Sequence, residues 1–458
     1  MRSLVCLKEK LVNKKVRIEL PEKVSYIINT LNRNGFEAYA VGGCVRDSML
    51  GRTPQDWDIT TSAKPHQVKE LFHPTIDTGI QHGTVTVMLA HEGFEVTTYR
   101  IDGEYEDARH PKEVRFTSNL LEDLKRRDFT INAMAYNETD GLIDAFDGIG
   151  DLKRGVIRCV GDPRERFTED ALRMLRAVRF AAQLEFCIDA GTREAIAALA
   201  GNIVKVSAER IQVELVKLLM SGNPGELETA YDTGLTAVFL PEFDRMMETE
   251  QNNPHHCYTV GRHTLAALCN VPGDKVLRLA MLLHDVAKPV CRTTDEEGVD
   301  HFYGHPAEGS GMARTILRRL KFDNDTTGRV CRLVQWHDDN PELTKRSVRR
   351  AIHRIGMGQY PALFAVKRAD ILAQSGYQME EKLAYVDAYE RMYEEILARQ
   401  ECLTIGELAV TGNDLIAVGM EPGKEIGAML KQLMEIVLEE PEKNTREELI
   451  KIVSDLRS

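Results

Sequence analysis

The sequence predicts an α+β protein in which a mixed α/β unit comes first and an all-helical run follows. Three observations predict it. Over roughly the first 150 residues, short β-rich runs alternate with turn signals and two helical segments. From about Phe167 onward amphipathic helical periodicity takes over and strand signals nearly vanish. Finally, 458 residues exceed what one domain holds at ~100–200 residues each. In chain order, the β-rich runs are Ala38–Val41, Asp58–Thr61, Gly83–Leu89 and Phe94–Arg100, with helical segments near Val24–Arg33 and Val45–Leu50. Glu169–Leu184, Ala208–Met220 and Leu277–Val286 then carry apolar residues at helical spacing. Breaks at Ser221–Gly225, Asn252–His256, near Pro341 and near Gly412–Asn413 read as joints between units.

Hydrophobic residues make up 43% and charged residues 28%, the balance of a soluble globular chain. No apolar run approaches the ~20 residues that span a bilayer, and Met1–Leu20 mixes Lys, Arg and Glu among its apolar residues, so neither anchor nor signal peptide is expected. The nine cysteines form no CxxC pair, which argues against a disulfide framework or a zinc ribbon and points to a reducing, cytoplasmic compartment. A net charge of −12 argues against a polyanion as partner, but the distribution is uneven. Eight Lys/Arg face four Asp/Glu between Leu152 and Phe180, and five Lys/Arg with no acid run from Lys345 to Arg354. These stretches are either solvated helix faces or local basic surfaces.

Val41-Gly-Gly-Cys-Val-Arg-Asp47 reads as a tight turn into a helix. Backbone amides around Gly43 would face an anion, and Arg46, one turn in, could reach a phosphate. An ordinary strand–turn–helix joint is the alternative. Asp56 and Asp58 follow. At i and i+2 on a strand they share a face and offer hard oxygen ligands to Mg²⁺, which is completed by waters and substrate phosphates. Two ions there would activate an attacking hydroxyl and stabilise departing pyrophosphate. Glu95, on an alternating strand, is a candidate third carboxylate.

Three blocks in order, Gly42-Gly43-x-x-Arg46-Asp47 with Asp56-x-Asp58, Arg126-Arg127-Asp128-x-x-x-Asn132, and Glu169-Asp170-x-x-Arg173-x-x-Arg176, resemble the class II tRNA nucleotidyltransferase and bacterial poly(A) polymerase family. The resemblance implies a polymerase-β-like head, a helical neck that selects the base, and further helical units that grip tRNA. The expected organisation is an extension at 1–22, a head at 23–165, a neck at 166–250, a metal-binding helical domain at 251–375 and a tail at 376–458. It also implies that Arg127, Arg176 and Arg179 contact the phosphates or ribose of incoming CTP or ATP, with Asp128 and Asn132 holding the sugar. On one helix starting near Thr168, Asp170 and Arg173 would lie about 60° apart. Cytosine and adenine both present an amino donor beside a ring-nitrogen acceptor, which this pair could read; a surface ion pair is the alternative.

Poly(A) polymerases of the family carry a Gly-Arg-Arg-Phe type segment where this chain reads Ile80-Gln-His-Gly83-Thr-Val-Thr-Val87, which favours CCA addition. The long polar stretch Arg100–Phe116 argues that adenosine is added as well as cytidine, and an A-only product stays open. Separately, His263, His284-Asp285, His305, His337 and Asp370 follow the order H…HD…H…H…D and resemble the HD phosphohydrolase superfamily. The resemblance implies a divalent ion, Mn²⁺, Ni²⁺, Fe²⁺ or Mg²⁺, and phosphoester hydrolysis such as that of a 2′,3′-cyclic phosphate. The alternatives are a scaffold that mainly supports RNA binding, or a chain whose main activity is the HD unit. Val410–Ile416 and Gly419–Gly427 resemble the family's tail and are expected to contact tRNA.

Overall fold

The computed structural model describes residues 12–13, 16–102, 114–253, 255 and 257–457. They form two compact units, one ending at Pro241 and one starting at Glu242. Most of the Arg100–Phe116 stretch and of the 1–22 extension lies outside the described residues.

The first unit is built on a sheet with eight strands among the described residues: β1 (Val12–Asn13), β2 (Ala38–Val41), β3 (Ile59–Thr61), β4 (Thr75–Gly79), β5 (Thr84–Leu89), β6 (Glu92–Thr98), β7 (Met134–Asn137) and β8 (Gly141–Asp144). Their order is β1-β8-β7-β2-β3-β6-β5-β4. The β3–β6 pair is parallel and every other neighbouring pair antiparallel. β2 and β7 are buried at every position, as central strands covered on both faces must be. In β6, Phe94 and Val96 are buried while Glu95 is exposed, the period-2 pattern of a half-covered sheet. Helix α1 (Glu22–Arg33) buries Val24, Ile27, Ile28 and Leu31, one stripe at helical spacing, and packs on β2.

Two expectations need correction here. The strand expected from Asp58 begins at Ile59, so Asp56 and Asp58 stand on the approach to it, although Val41 N–H donates to the Asp58 carbonyl at 3.0 Å and holds that approach against β2. The run Glu169–Leu184 is not one helix. It splits into α3 (Pro163–Glu169) and α4 (Leu172–Leu184), with Asp170 extended at φ −144°, ψ 102° between them. The Asp170 carboxylate caps the new helix by accepting from Leu172 N–H at 3.1 Å, which is how an Asp competes with helix continuation. Helix α5 (Ala208–Leu219) packs on α4.

The second unit is helical apart from a short hairpin, Thr293–Thr294 with Asp300–His301. Its site-bearing helices are α6 (Val260–Asn270), α7 (Lys275–Leu283), α8 (His305–Arg319), α9 (Asn324–Trp336), α10 (Lys345–Ile355) and α11 (Tyr360–Leu372), followed by α12 (Met379–Ala398). Asp274 and Asp323 cap α7 and α9 through their side chains. α7 buries every residue from Val276 through Leu283, Arg278 among them, so it forms the centre of the unit. It ends at Leu283, three residues short of the Val286 read from sequence, which leaves His284 as its C-cap. Among the described residues, no helix is long and apolar enough to cross a membrane.

Candidate functional sites

The turn after β2 requires glycine. Gly42 has φ +83°, and a Cβ on it would lie 2.9 Å from Arg127 Nη1. Gly43 opens helix α2 (Gly43–Met49), which carries Arg46 inward. Arg46 is buried and donates to Asn132 Oδ1 at 2.7 Å and to Asp47, so it braces the Asn132 side chain. On the other side of the turn the parallel register sets Ile59 against Val96, which brings Asp58 and Glu95 to the same end of β3 and β6. Solvent reaches Asp56, Asp58 and Glu95. The surrounding protein and the Asp56 charge raise the Asp58 carboxyl above its ordinary value, against the pull of Arg127. Partial desolvation, then Asp58 and Asp56, raise Glu95 in turn. Three carboxylates that repel one another beside one arginine fit a cation, and their oxygens are the hard ligands Mg²⁺ takes.

A chain of ion pairs joins this turn to the helices. Asn132 Nδ2 donates to Asp128 Oδ1 at 3.2 Å, and Arg176 Nη2 and Nε grip Asp128 Oδ2 at 2.6 and 2.8 Å. Burial opposes the Asp128 charge, but Arg176 and Arg173 hold its carboxyl far below the ordinary range. Arg179 Nε lies 2.7 Å from the buried Glu214 on α5. Phe180 is the hub: its ring centroid is 3.8, 5.0 and 5.4 Å from the guanidinium carbons of Arg179, Arg46 and Arg176. Arg179 therefore turns into the joint between α4 and α5.

A cavity of about 240 Å³ opens beside this network, lined by Arg126, Arg127, Asp128, Asp170, Leu172, Arg173, Arg176 and Arg210. The expected pair Asp170 and Arg173 both reach it, but not as partners on one helix face. The helix break separates them. Asp170 accepts two bonds from Arg210, at 2.7 and 3.2 Å, while Arg173 binds Glu169 at 2.6 Å and the Arg126 carbonyl at 2.9 Å. Sequence reading missed Arg210, Glu214 and Phe180. Glu214 did carry a signal, a lone acid in the Ile211, Leu215, Leu218 stripe of α5.

In the second unit all six expected residues converge. His263 Nε2 is 2.8 Å from Asp370 Oδ1, and His284 Nε2 is 3.2 Å from Asp285 Oδ2. His305 and His337 lie 3.4 and 3.7 Å from Asp285 Oδ1. Lys288 pairs with Asp285 at 2.8 Å. Against the cost of burial, His284 and Lys288 hold the Asp285 carboxyl well below its usual range. Burial likewise opposes a charged His284, yet Asp285 and Asp370 push it up to about 10. Among the described residues, the sets of three or more ligand atoms within 4.8 Å of one another both belong to this cluster.

The basic run 345–354 is not a free cationic surface. Lys345 pairs with Glu395, Arg346 with Glu439, Arg350 with Glu435, and Arg354 with Asp339, while Arg349 is buried against Glu401 and the Leu438 carbonyl.

Residues 38–158 match the poly(A) polymerase head domain family, residues 185–247 the RNA and SrmB-binding site of polymerase A, and residues 309–453 the tRNA nucleotidyltransferase domain 2 family. The CCA-adding enzyme of Leuconostoc mesenteroides subsp. mesenteroides is 54% identical over 200 residues, which is 44% of this chain and 50% of that protein. That of Limosilactobacillus fermentum is 36% identical over 433 residues, covering 94% of this chain and 96% of the relative. Among solved structures, the Bacillus stearothermophilus CCA-adding enzyme in complex with CTP superposes with a TM-score of 0.73 at 30% identity, over 96% of this chain and 98% of that one.

Proposed function

Because this chain belongs to the CCA-adding enzyme family, we propose that its first unit adds C, C and A to the 3′ end of tRNA from CTP and ATP. One observation carries the reading: the arginine-lined cavity holding Asp170 and Arg173 adjoins the turn that presents Asp56, Asp58 and Glu95, through Arg127 and Asp128. Asp56 and Asp58 hold Mg²⁺, with Glu95 as a further carboxylate. When bound, the ions supply charge for the attacking 3′-hydroxyl and the departing pyrophosphate. The chain's own residues do the rest. Arg127 and Arg176 orient the nucleotide, Asp128 with Asn132, braced by Arg46, holds the sugar, and the backbone amides around Gly43 face a phosphate.

Asp170 accepts from the amino group of cytosine or adenine, and Arg173 donates toward the ring nitrogen. Uracil and guanine reverse that order and would leave buried polar groups unpaired. Arg210 positions Asp170 and Glu169 positions Arg173, so the reading groups are set from opposite sides of the helix break. The test is incorporation of labelled CTP and ATP into tRNA lacking one, two or three 3′ nucleotides, read at nucleotide resolution. The expected product stops at CCA. An A-only or poly(A) ladder would overturn the reading.

A second activity is favoured by the convergence of His263, His284, Asp285, His305, His337 and Asp370. We read it as a divalent-metal site hydrolysing a phosphoester such as a 2′,3′-cyclic phosphate, in the same cytoplasmic chain. Failure of the metal-loaded chain to hydrolyse any cyclic or terminal phosphate would leave the cluster a scaffold.

A further inference from the structure

Resting on the reading of the first-unit cavity as a nucleotide site, we propose that Asp123 is a positioning residue for it, a buried carboxylate that ties Arg126 into the fold and holds Arg127 open to the nucleotide. Asp123 lies on the short helix Leu120–Lys125, three and four residues before Arg126 and Arg127, the spacing at which helical side chains meet. It is 0% exposed, and both of its oxygens are engaged. Oδ1 accepts from Arg126 Nη2 and Nε at 2.7 and 3.0 Å and from the Arg100 backbone N–H at 3.3 Å. Oδ2 accepts from the Thr60 hydroxyl at 3.1 Å. Against the cost of burial, Arg126 and Arg127 hold the carboxyl below its ordinary range, so it is charged at neutral pH.

The two arginines are held in different ways. Arg126 meets Asp123 through two of its N–H groups, and its backbone carbonyl, 2.9 Å from Arg173 Nη2, is thereby fixed as the seat of that side chain. Arg127 is tethered to Asp123 by charge alone. Its Nη2 stands 3.7 Å from Oδ2, beyond hydrogen-bond range, and among the described residues its buried Nε has no hydrogen-bond partner. A buried N–H left without an acceptor is costly, and Arg127 lines the cavity of about 240 Å³, so an acceptor oxygen on the nucleotide completes it. Asp123 is close enough to restrain Arg127 and too far to occupy its donors.

The same carboxylate reaches the strand behind Asp58. Thr60 stands in β3, two residues past Asp58, and Arg127 is the cation that acts on the Asp58 carboxylate. From one buried point, Asp123 therefore fixes the strand that follows Asp58 and the arginines that face the cavity. An amide cannot do this. Both oxygens only accept, so an Asn would turn its NH₂ either toward Arg126 or toward Thr60 and Arg127, donor against donor.

Calorimetric titration of the full chain with CTP and with UTP, beside melting curves, tests the proposal. Asp123→Asn is expected to weaken CTP binding about tenfold and to shrink the preference for CTP over UTP about fivefold, because Arg127 shifts and Arg173 loses its seat. Arg126→Gln leaves Arg127 as the nearest cation to Asp123 and should weaken CTP about fivefold, with the double variant no worse than Asp123→Asn, since the two residues act as one unit. A carboxylate that only stabilised the fold would lower the melting temperature and the binding stoichiometry while affinity and preference stayed put. That result, or additive effects in the double variant, overturns the proposal. Where Asp123→Asn does not fold, Arg126→Gln decides: weakened CTP binding supports the proposal and unchanged binding overturns it. A parent chain that does not prefer CTP over UTP, or an Arg173→Met variant that keeps the parent's preference, overturns instead the site reading beneath it.

Discussion

The two acidic clusters of this chain hold their charge in opposite ways. Asp56, Asp58 and Glu95 are open to solvent; partial desolvation and the neighbouring carboxylates raise Asp58 and Glu95, with Arg127 as the cation acting on Asp58. Asp285 is sealed from solvent and Asp370 largely so, and imidazoles and Lys288 balance them at close range. On the proposed function, cations at the first cluster would come and go with a triphosphate. In the second the carboxylates are held in place by their neighbours, so its stability and any metal chemistry there would be tied together. Loss of a carboxylate should therefore cost function in one unit and folding in the other.

The largest expected effect is on the open cluster. Asp58→Ala, and likewise Asp56→Ala, should lower CTP and ATP incorporation on the order of a thousandfold in Mg²⁺ while the melting temperature stays put, since an exposed carboxylate in mutual repulsion contributes little to folding. More than a few per cent of residual activity, or a collapsed melt, would erase the contrast. Asp285→Ala should do the reverse. Left without its partner, buried Lys288 should destabilise the metal-free second unit by about 3 kcal/mol in urea unfolding, with nucleotide addition nearly intact. Equal loss of both properties would mean the units are not separable in function.

A smaller effect is expected at the base-reading pair. Arg173→Met should raise misincorporation of UTP and GTP relative to CTP and ATP by about tenfold, and Asp170→Asn should favour UTP in particular, because the amide adds a donor. If all four nucleotides slow equally, the pair is a clamp and not a reader.

The smallest concerns pH. The Asp128 carboxyl is depressed in the folded protein, so its stabilising contribution is complete above the unfolded value of ~3.9 and is lost as pH falls toward the folded one. The first unit should thus weaken on acidification below about pH 4, and Arg176→Met should flatten that limb by about 1 kcal/mol in pH-dependent melting. An unchanged limb would mean the Asp128–Arg176 pair does not hold the unit together.

How much of this was legible in the sequence varied with the range of the interaction. Strand β2 emerges at the boundaries read from its β-rich run, and α1 within two residues, because alternation and helical spacing are local signals. All six HD-pattern residues could be picked out by residue type and order alone. The Asp170 break was not legible: a periodic apolar stripe runs through it, and what stops α3 is a tertiary pull, Arg210 on the Asp170 carboxylate together with its cap on Leu172. Nor was the fate of the 345–354 basic run, whose partners Glu395, Glu401, Glu435 and Glu439 lie some 50 to 90 residues away in sequence.

Two of the clustered histidines stand where a helix stops. His284 is the C-cap of α7 and His337 that of α9, and each places its Nδ1 against the carbonyl three residues back, Met281 and Val334. Those carbonyls belong to the last turn, which has no amide left to receive. One hydrogen bond therefore finishes the helix and fixes which ring nitrogen faces the cluster, within a four-residue stretch. Aim is thereby inherited from the local chain: neighbouring helices could be resurfaced or repacked, and each ring would still present the same nitrogen to its site.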